Sequence, residues 1–194
     1  MLDNKSVIIG YSGHAYVVAE SYISNGSKIS FYADLKESQK NPFDLAYLGF
    51  ESNPNFKGWD VTLKYILGIG DNNLRENVAK LILSKSNILE NVIDPYAVIS
   101  KSTNIGNGVF ASKGVLVNAF STIGSFTILN TGCIIEHECE IGIAAHIAPG
   151  AVLAGSHLPR IARRRRIRSI CRGRGNLEPR RLVELSRQCL RRGS

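Results

Sequence analysis

A histidine set between two carboxylates, Glu136-His137-Glu138, is the triplet in this chain best suited to moving a proton. An imidazole ionises near neutral pH, so it can take a proton from an attacking hydroxyl or amine, and an adjacent carboxylate can hold its ring in one orientation. Read by itself, the triplet fits a solvated surface pair more readily than a base. A further histidine, His146, stands nine residues on. Towards the other end, Gly10-Tyr11-Ser12-Gly13-His14 closes an apolar run. Two glycines there let a strand turn sharply into a helix, whose free N–H groups and dipole favour a phosphate or another anion. The spacing is not the three-glycine dinucleotide fingerprint, and a plain tight turn accounts for it equally. Cys133, Cys139, Cys171 and Cys189 form no CxxC pair, so reduced thiols and no metal site are expected.

The elements that must position these groups fall into two patterns. Ser6-Val7-Ile8-Ile9 reads as a buried strand, followed by helical apolar spacing from Ala15 to Ser24. A second strand fits Lys28 to Tyr32, ending at Asp34, and a third fits Thr62 to Ile69, ending at Gly70. A helix follows from about Asn73 to Ser84. Strands alternating with helices predict a small parallel sheet of the Rossmann-like α/β kind over residues 1–86. Residues 35–60, with Pro42, Pro54 and Gly58, read as a long loop containing one short strand between Leu45 and Phe50.

From Ile93 the period becomes six. Ile93, Ile99, Ile105, Ala111, Val117, Ile123, Leu129, Ile135, Ile141, Ile147 and Leu153 recur at that spacing. Four residues after each of the first ten comes a small or β-branched side chain, among them Ala97, Val115, Cys133 and Ala151. Two coincident registers predict a parallel β-helix over residues 87–156, each short strand placing one aliphatic side chain in the bore and a small one at the corner. The period does not fix the hand of the coil. His137, two residues after the inward Ile135, should sit near a corner and point outward, towards a neighbouring subunit.

The motifs GYSGHA at Gly10 to Ala15, FYAD at Phe31 to Asp34, GIGDNNLR at Gly68 to Arg75 and NTGCIIEHECEIG at Asn130 to Gly142 together give the chain a family resemblance. It resembles the left-handed β-helix acetyltransferases that include sialic acid O-acetyltransferase and the N-acetyltransferase forming UDP-N-acetylbacillosamine. The resemblance covers about residues 5–156. It implies a left-handed coil, a homotrimer, acetyl-CoA as co-substrate and a UDP-linked 4-amino sugar as acceptor, with O-acetylation of sialic acid as the alternative. It also implies His137 as general base, Glu138 as the group raising its basicity, and His146 beside the acetyl-CoA thioester. Ser12, Gly13 and His14 would contact the nucleotide, Asp34 the nucleoside, and Gly70 would line the pocket. Arg75 would serve as a phosphate or structural partner, or stand solvated at its helix start. Backbone N–H groups between Gly142 and Gly150 would hold the oxyanion.

Charge divides the chain into a body and a tail. Residues 1–156 carry ten Lys, one Arg and fourteen acids, a net −3, whereas residues 157–194 carry thirteen Arg, no Lys and two Glu, a net +11. The six-residue period meets Pro159 where an aliphatic residue is due, and the tail is expected to be disordered. Three readings stay open for it: a frameshift or assembly artefact, a basic tail binding nucleic acid or an anionic surface, and an alternative cap. Loss of the family's further coils would weaken coenzyme A binding. No stretch reaches the roughly 18 apolar residues of a membrane span, and no signal-peptide pattern opens the chain, so a cytoplasmic, non-membrane protein is expected.

Overall fold

The computed structural model describes residues 5–60, 63–154 and 166–167. Ser6–Ile9 (β1) buries all four side chains, as a strand covered on both faces must. Phe31–Ala33 (β2), Ala46–Tyr47 (β3), Lys64–Leu67 (β4) and Ile88–Leu89 (β5) join it. The five strands run parallel in the order β3-β2-β1-β4-β5. Two helices cover the sheet, Gly13–Ser24 (α1) and Asn72–Ser84 (α2). Alternation along the strands divides the core between them. Val7, Ile9, Tyr65 and Leu67 pack with Val78, Ala79 and Ile82 of α2, while Ile8 and Ile66 pack with Ala15, Val18 and Ala19 of α1. Each such aliphatic chain, fully buried, contributes about 1.5–3 kcal/mol. A short 3₁₀ turn, Lys57–Asp60, completes this layer.

The expected elements are present with shifted bounds. Phe31 opens β2 three residues later than the apolar pattern suggests, because the chain first turns at Gly26 with φ 78° and reaches β1 only where Ser30 N–H meets Ser6 O at 2.9 Å. The short strand placed between Leu45 and Phe50 is β3.

Beyond β5 the chain winds as a three-faced coil of two-residue strands. One face stacks Val92–Ile93 (β6), Phe110–Ala111 (β9), Ile128–Leu129 (β12) and His146–Ile147 (β15). The second stacks Val98–Ile99 (β7), Leu116–Val117 (β10), Ile134–Ile135 (β13) and Val152–Leu153 (β16). The third holds Asn104–Ile105 (β8), Thr122–Ile123 (β11) and Glu140–Ile141 (β14). All pairings are parallel, and partners between β6 and β16 are eighteen residues apart, as in Leu116 with Ile134. Three times six is one full coil, which explains the sequence period. Both apolar registers line the bore, from Ile93 to Leu153 and from Ala97 to Ala151.

From Gly108 onward the corners use one left-handed residue each, in columns: Gly108, Phe126 and Ala144; Gly114, Gly132 and Gly150; Phe120 and Glu138. The outward residues differ by face. Val92, Phe110 and Ile128 are buried against α1. Asn104, Thr122 and Glu140 are exposed and polar. Val98, Leu116, Ile134 and Val152 form an apolar ladder, with Val98 at 64% and Leu116 at 40% exposure.

The basic segment after Ser156 lies outside the described residues except at Arg166–Ile167 (β17), whose backbone pairs with β15. The six-residue period does not anticipate this rung, because its partners are twenty residues apart rather than eighteen.

Candidate active site

The strand order reverses between β1 and β4: the chain steps from β1 to β2 and β3 on one side, then returns to lay β4 and β5 on the other. The crevice at the carboxyl ends of such a strand pair is where open α/β sheets hold ligands. Here it meets the first face of the coil. A cleft of about 490 Å³ is lined by His14, Gly70, Asp71, Asn72 and Asn73 from the sheet side and by Asn130 and His146 from the coil.

His14 sits one residue into α1 and packs edge-on against Phe110, ring centroids 5.7 Å apart. Its Nε2 is buried and has no hydrogen-bond partner among the described residues. Burial, with the nearby Arg75 charge, pushes its pKa down to about 4, so the ring is neutral at pH 7. Across the cleft, His146 lies 6.5 Å from it, centroid to centroid. Asn130 fixes the tautomer of His146. Its Oδ1 accepts the Thr131 N–H at 2.8 Å, so the Nδ2 that lies 3.1 Å from His146 Nε2 must donate. The lone pair of His146 is therefore on Nε2 and its proton on Nδ1.

The helix starts complete the sheet-side wall. Asp71 caps α2 by accepting the Leu74 N–H at 2.8 Å. Ser12 caps α1 without a side-chain bond, leaving its hydroxyl and the exposed Gly13 at the opening turn. Asp34, at the end of β2, accepts the Tyr11 N–H through Oδ2 at 2.7 Å and the Leu35 N–H through Oδ1 at 2.7 Å. It thereby ties the strand end to the turn that carries Ser12 and His14.

Arg75 is buried, at 1% exposure. The guanidinium donates to Phe126 O at 2.7 Å, Ala144 O at 3.0 Å and Ala145 O at 3.1 Å on the coil. On the sheet side it donates to Ile69 O at 3.2 Å, Gly70 O at 3.0 Å and Asn72 Oδ1 at 3.0 Å. Burial lowers its pKa to about 10, which leaves it charged at neutral pH. Of the roles open to it in sequence, the solvated and phosphate-binding ones are excluded: every nitrogen is committed to protein acceptors. A lone arginine at a helix start gives no sign of this, because its acceptors on the coil are carbonyls 51 to 70 residues away.

His137 and Glu138 stand apart from this cleft, on the corner between β13 and β14. The imidazole is 55% exposed and its Nδ1 lies 3.1 Å from Glu138 Oε2. A carboxylate only accepts, so Nδ1 donates and Nε2 faces outward as the basic atom. Glu138 takes φ 58°, a left-handed conformation costing a non-glycine residue about 1 kcal/mol. Glu136 turns instead to Asn118, whose Nδ2 donates to its Oε2 at 3.0 Å. The structure thus gathers His14, Gly70 and His146 and leaves His137 on a separate outward corner. In sequence Asn130 reads as a turn residue only, although it stands at the head of the motif carrying His137.

A family model of the PglD N-terminal domain matches residues 5–82. GDP-perosamine N-acetyltransferase of Escherichia coli O157:H7 is 29% identical over 89 residues, 46% of this chain and 40% of that protein, so the alignment spans about two fifths of that curated relative. Among solved structures, a mutant of perosamine N-acetyltransferase from Caulobacter crescentus, in complex with CoA and GDP-perosamine, superposes with TM-score 0.74 at 33% identity. That match covers 79% of this chain and 72% of the other. The acetyltransferase domain of PglB from Neisseria gonorrhoeae, in complex with acetyl coenzyme A, gives TM-score 0.71 at 27% identity, covering 78% and 74%. By motif, fold and coverage, the chain belongs to the sugar acetyltransferase family to which these enzymes and the PglD N-terminal domain are assigned.

Proposed function

We propose that this chain transfers the acetyl group of acetyl-CoA to the amine of a nucleotide-linked amino sugar. The observation that carries the reading is a pair of histidine sites: a cleft between His14 of α1 and His146 of the coil, and an outward base at the coil corner, His137. In the reaction the sugar amine attacks the thioester carbonyl, the C–N bond forms, and the C–S bond breaks to release the coenzyme A thiolate, which leaves as the thiol once the proton taken from the amine is passed on to it. His137 Nε2 takes the proton the amine loses, and Glu138 holds the ring and stabilises its charged form. Ser12, Gly13 and His14 at the start of α1 hold the nucleotide, Asp34 lies towards the nucleoside, and Gly70 lines the pocket. His146, held by Asn130, lies at the thioester.

His137 points away from its own cleft, so a neighbouring subunit must bring acceptor and acetyl-CoA to it. The apolar ladder of Val98, Leu116, Ile134 and Val152 borders that corner and fits burial between copies in a homotrimer, with the coil wound left-handed as in the resembling family. The cytoplasm, where acetyl-CoA and nucleotide sugars are made, is the proposed compartment; among the described residues no helix is long and apolar enough to cross a membrane.

The test is coenzyme A release measured with a thiol reagent, using a UDP-linked 4-amino sugar and GDP-perosamine as separate acceptors. Turnover is expected with one of them, and His137→Ala should lower kcat about 100- to 10,000-fold. Undiminished turnover by the variant removes His137 from the mechanism. Turnover with sialic acid in place of either nucleotide sugar moves the reading to O-acetylation.

A further inference from the structure

The two walls of the cleft come from different layers of the fold, and one side chain, Arg75, carries hydrogen bonds to both. The sheet-side wall is the turn from Ile69 through Asn73, and Arg75 is bonded to three of its groups, Ile69 O, Gly70 O and Asn72 Oδ1. The coil-side wall is Asn130 and His146, and Arg75 is bonded to Ala144 O and Ala145 O, the two residues that lead into His146. It also holds Phe126 O one coil lower.

We propose that Arg75 is a positioning residue that sets the spacing between the two walls of the cleft, and thereby the alignment of the bound sugar with the coil. A planar guanidinium suits this task because its five N–H donors leave in fixed directions, so carbonyls bonded to opposite edges are held at one separation. An ammonium keeps the charge but not the fork. Further hydrogen bonds between the layers run from α1: Ser21 Oγ donates to Asp94 Oδ2 at 2.6 Å, Lys113 pairs with Glu20 at 2.7 Å, and Asn25 Nδ2 donates to Ile93 O. They secure the first coils against α1; nearer the cleft Phe126 and Ala144 pack in one core with Ile69, and Arg75 adds directional bonds between the Ile69–Asn72 turn and the residues leading into His146. Reactive groups displaced by about 1 Å can cost 100-fold in rate, so the spacing matters to chemistry even where folding survives.

The proposal rests on the acetyltransferase reading for its kinetic consequence, but its geometric content is tested separately. In Arg75→Lys, kcat per folded molecule, measured well below the melting temperature, should fall about 100-fold while KM for the nucleotide sugar, held by the sheet-side wall, changes little. A residue needed only for stability would lower the melting temperature and leave kcat per folded molecule unchanged. Independently, the imidazole protons of His14 and His146 should show a nuclear Overhauser cross-peak in the parent chain that is lost or much weakened in the folded Arg75→Lys variant. If Arg75→Lys does not fold, Arg75→Gln, which keeps a planar two-donor amide, carries the same measurement. A parent chain without turnover defeats the acetyltransferase reading alone. A cross-peak at full strength in the folded variant overturns the role of Arg75, whatever the kinetics.

Discussion

His14 shows how far one side chain can link folding to pH. Its folded pKa of about 4 lies below the ordinary 6.5 of histidine because the charged ring would be buried beside Arg75. Above pH 6.5 the ring is neutral folded or unfolded, and its contribution to stability is complete. As pH falls from 6.5 to 4 the unfolded chain takes up the proton first, so stability drops through that window by at most about 3 kcal/mol. Urea midpoints at pH 7 and pH 4.5 should show a smaller drop for His14→Gln than for the parent; equal drops would mean that His14 is not the group responsible. At this scale the sequence is informative where a residue's type announces its chemistry. His137 with Glu138 can be read as a base and its orienting partner, and His14 as a group at a helix start. Asn130 and Arg75 cannot be assigned in that way, because asparagine suits any turn and arginine any surface. What distinguishes them is a partner remote in sequence, His146 for one and the Phe126 and Ala144 carbonyls for the other.

Among the elements, the coil is legible in sequence and the sheet partly so. A six-residue period repeats ten times and survives noise, whereas strands of two to four residues, β2 and β3 among them, have ends set by their neighbours rather than by their own composition. The corners carry a finer code. Gly106, Gly124 and Gly142 fall in one column, eighteen apart, where successive coils approach closely. A Cβ on Gly124 would come within 2.6 Å of Ile143 N and 2.7 Å of Gly142 C, both backbone atoms of the next coil with no side-chain freedom to yield. Gly124→Ala should therefore cost about 1–3 kcal/mol. Gly132→Ala meets nothing within 4 Å but sits at φ 66°, and should cost about 1 kcal/mol from backbone strain alone. Chemical denaturation of both variants checks the ranking, and a Gly124 variant as stable as the parent would contradict close coil stacking at that corner.

In the molecule as a whole, the three faces of the coil have three different fates. One is covered by α1, one is polar, and one carries the Val98, Leu116, Ile134 and Val152 ladder, an arrangement the period alone does not reveal because it records only which residues point inward. Leu116→Asp should convert an assembled trimer to monomers in light scattering coupled to size exclusion, with little change in the circular dichroism of the monomer. A parent that is already monomeric would remove the ladder from assembly, and the trans arrangement of His137 with it. The eighteen-residue repeat also makes the molecule sensitive to phase. Inserting or deleting one complete turn between β7 and β11 would leave every later side chain on its own face, merely lifting it by a storey. A change of six residues would rotate everything downstream by a third of a revolution, bringing the greasy ladder to the wet side and carrying His137 to another edge, although each hexad by itself would look unchanged. Length variation within this coil therefore keeps the faces in phase only in whole revolutions, and even a whole revolution placed ahead of β12 carries Phe126, Ala144 and Ala145 off the level of Arg75.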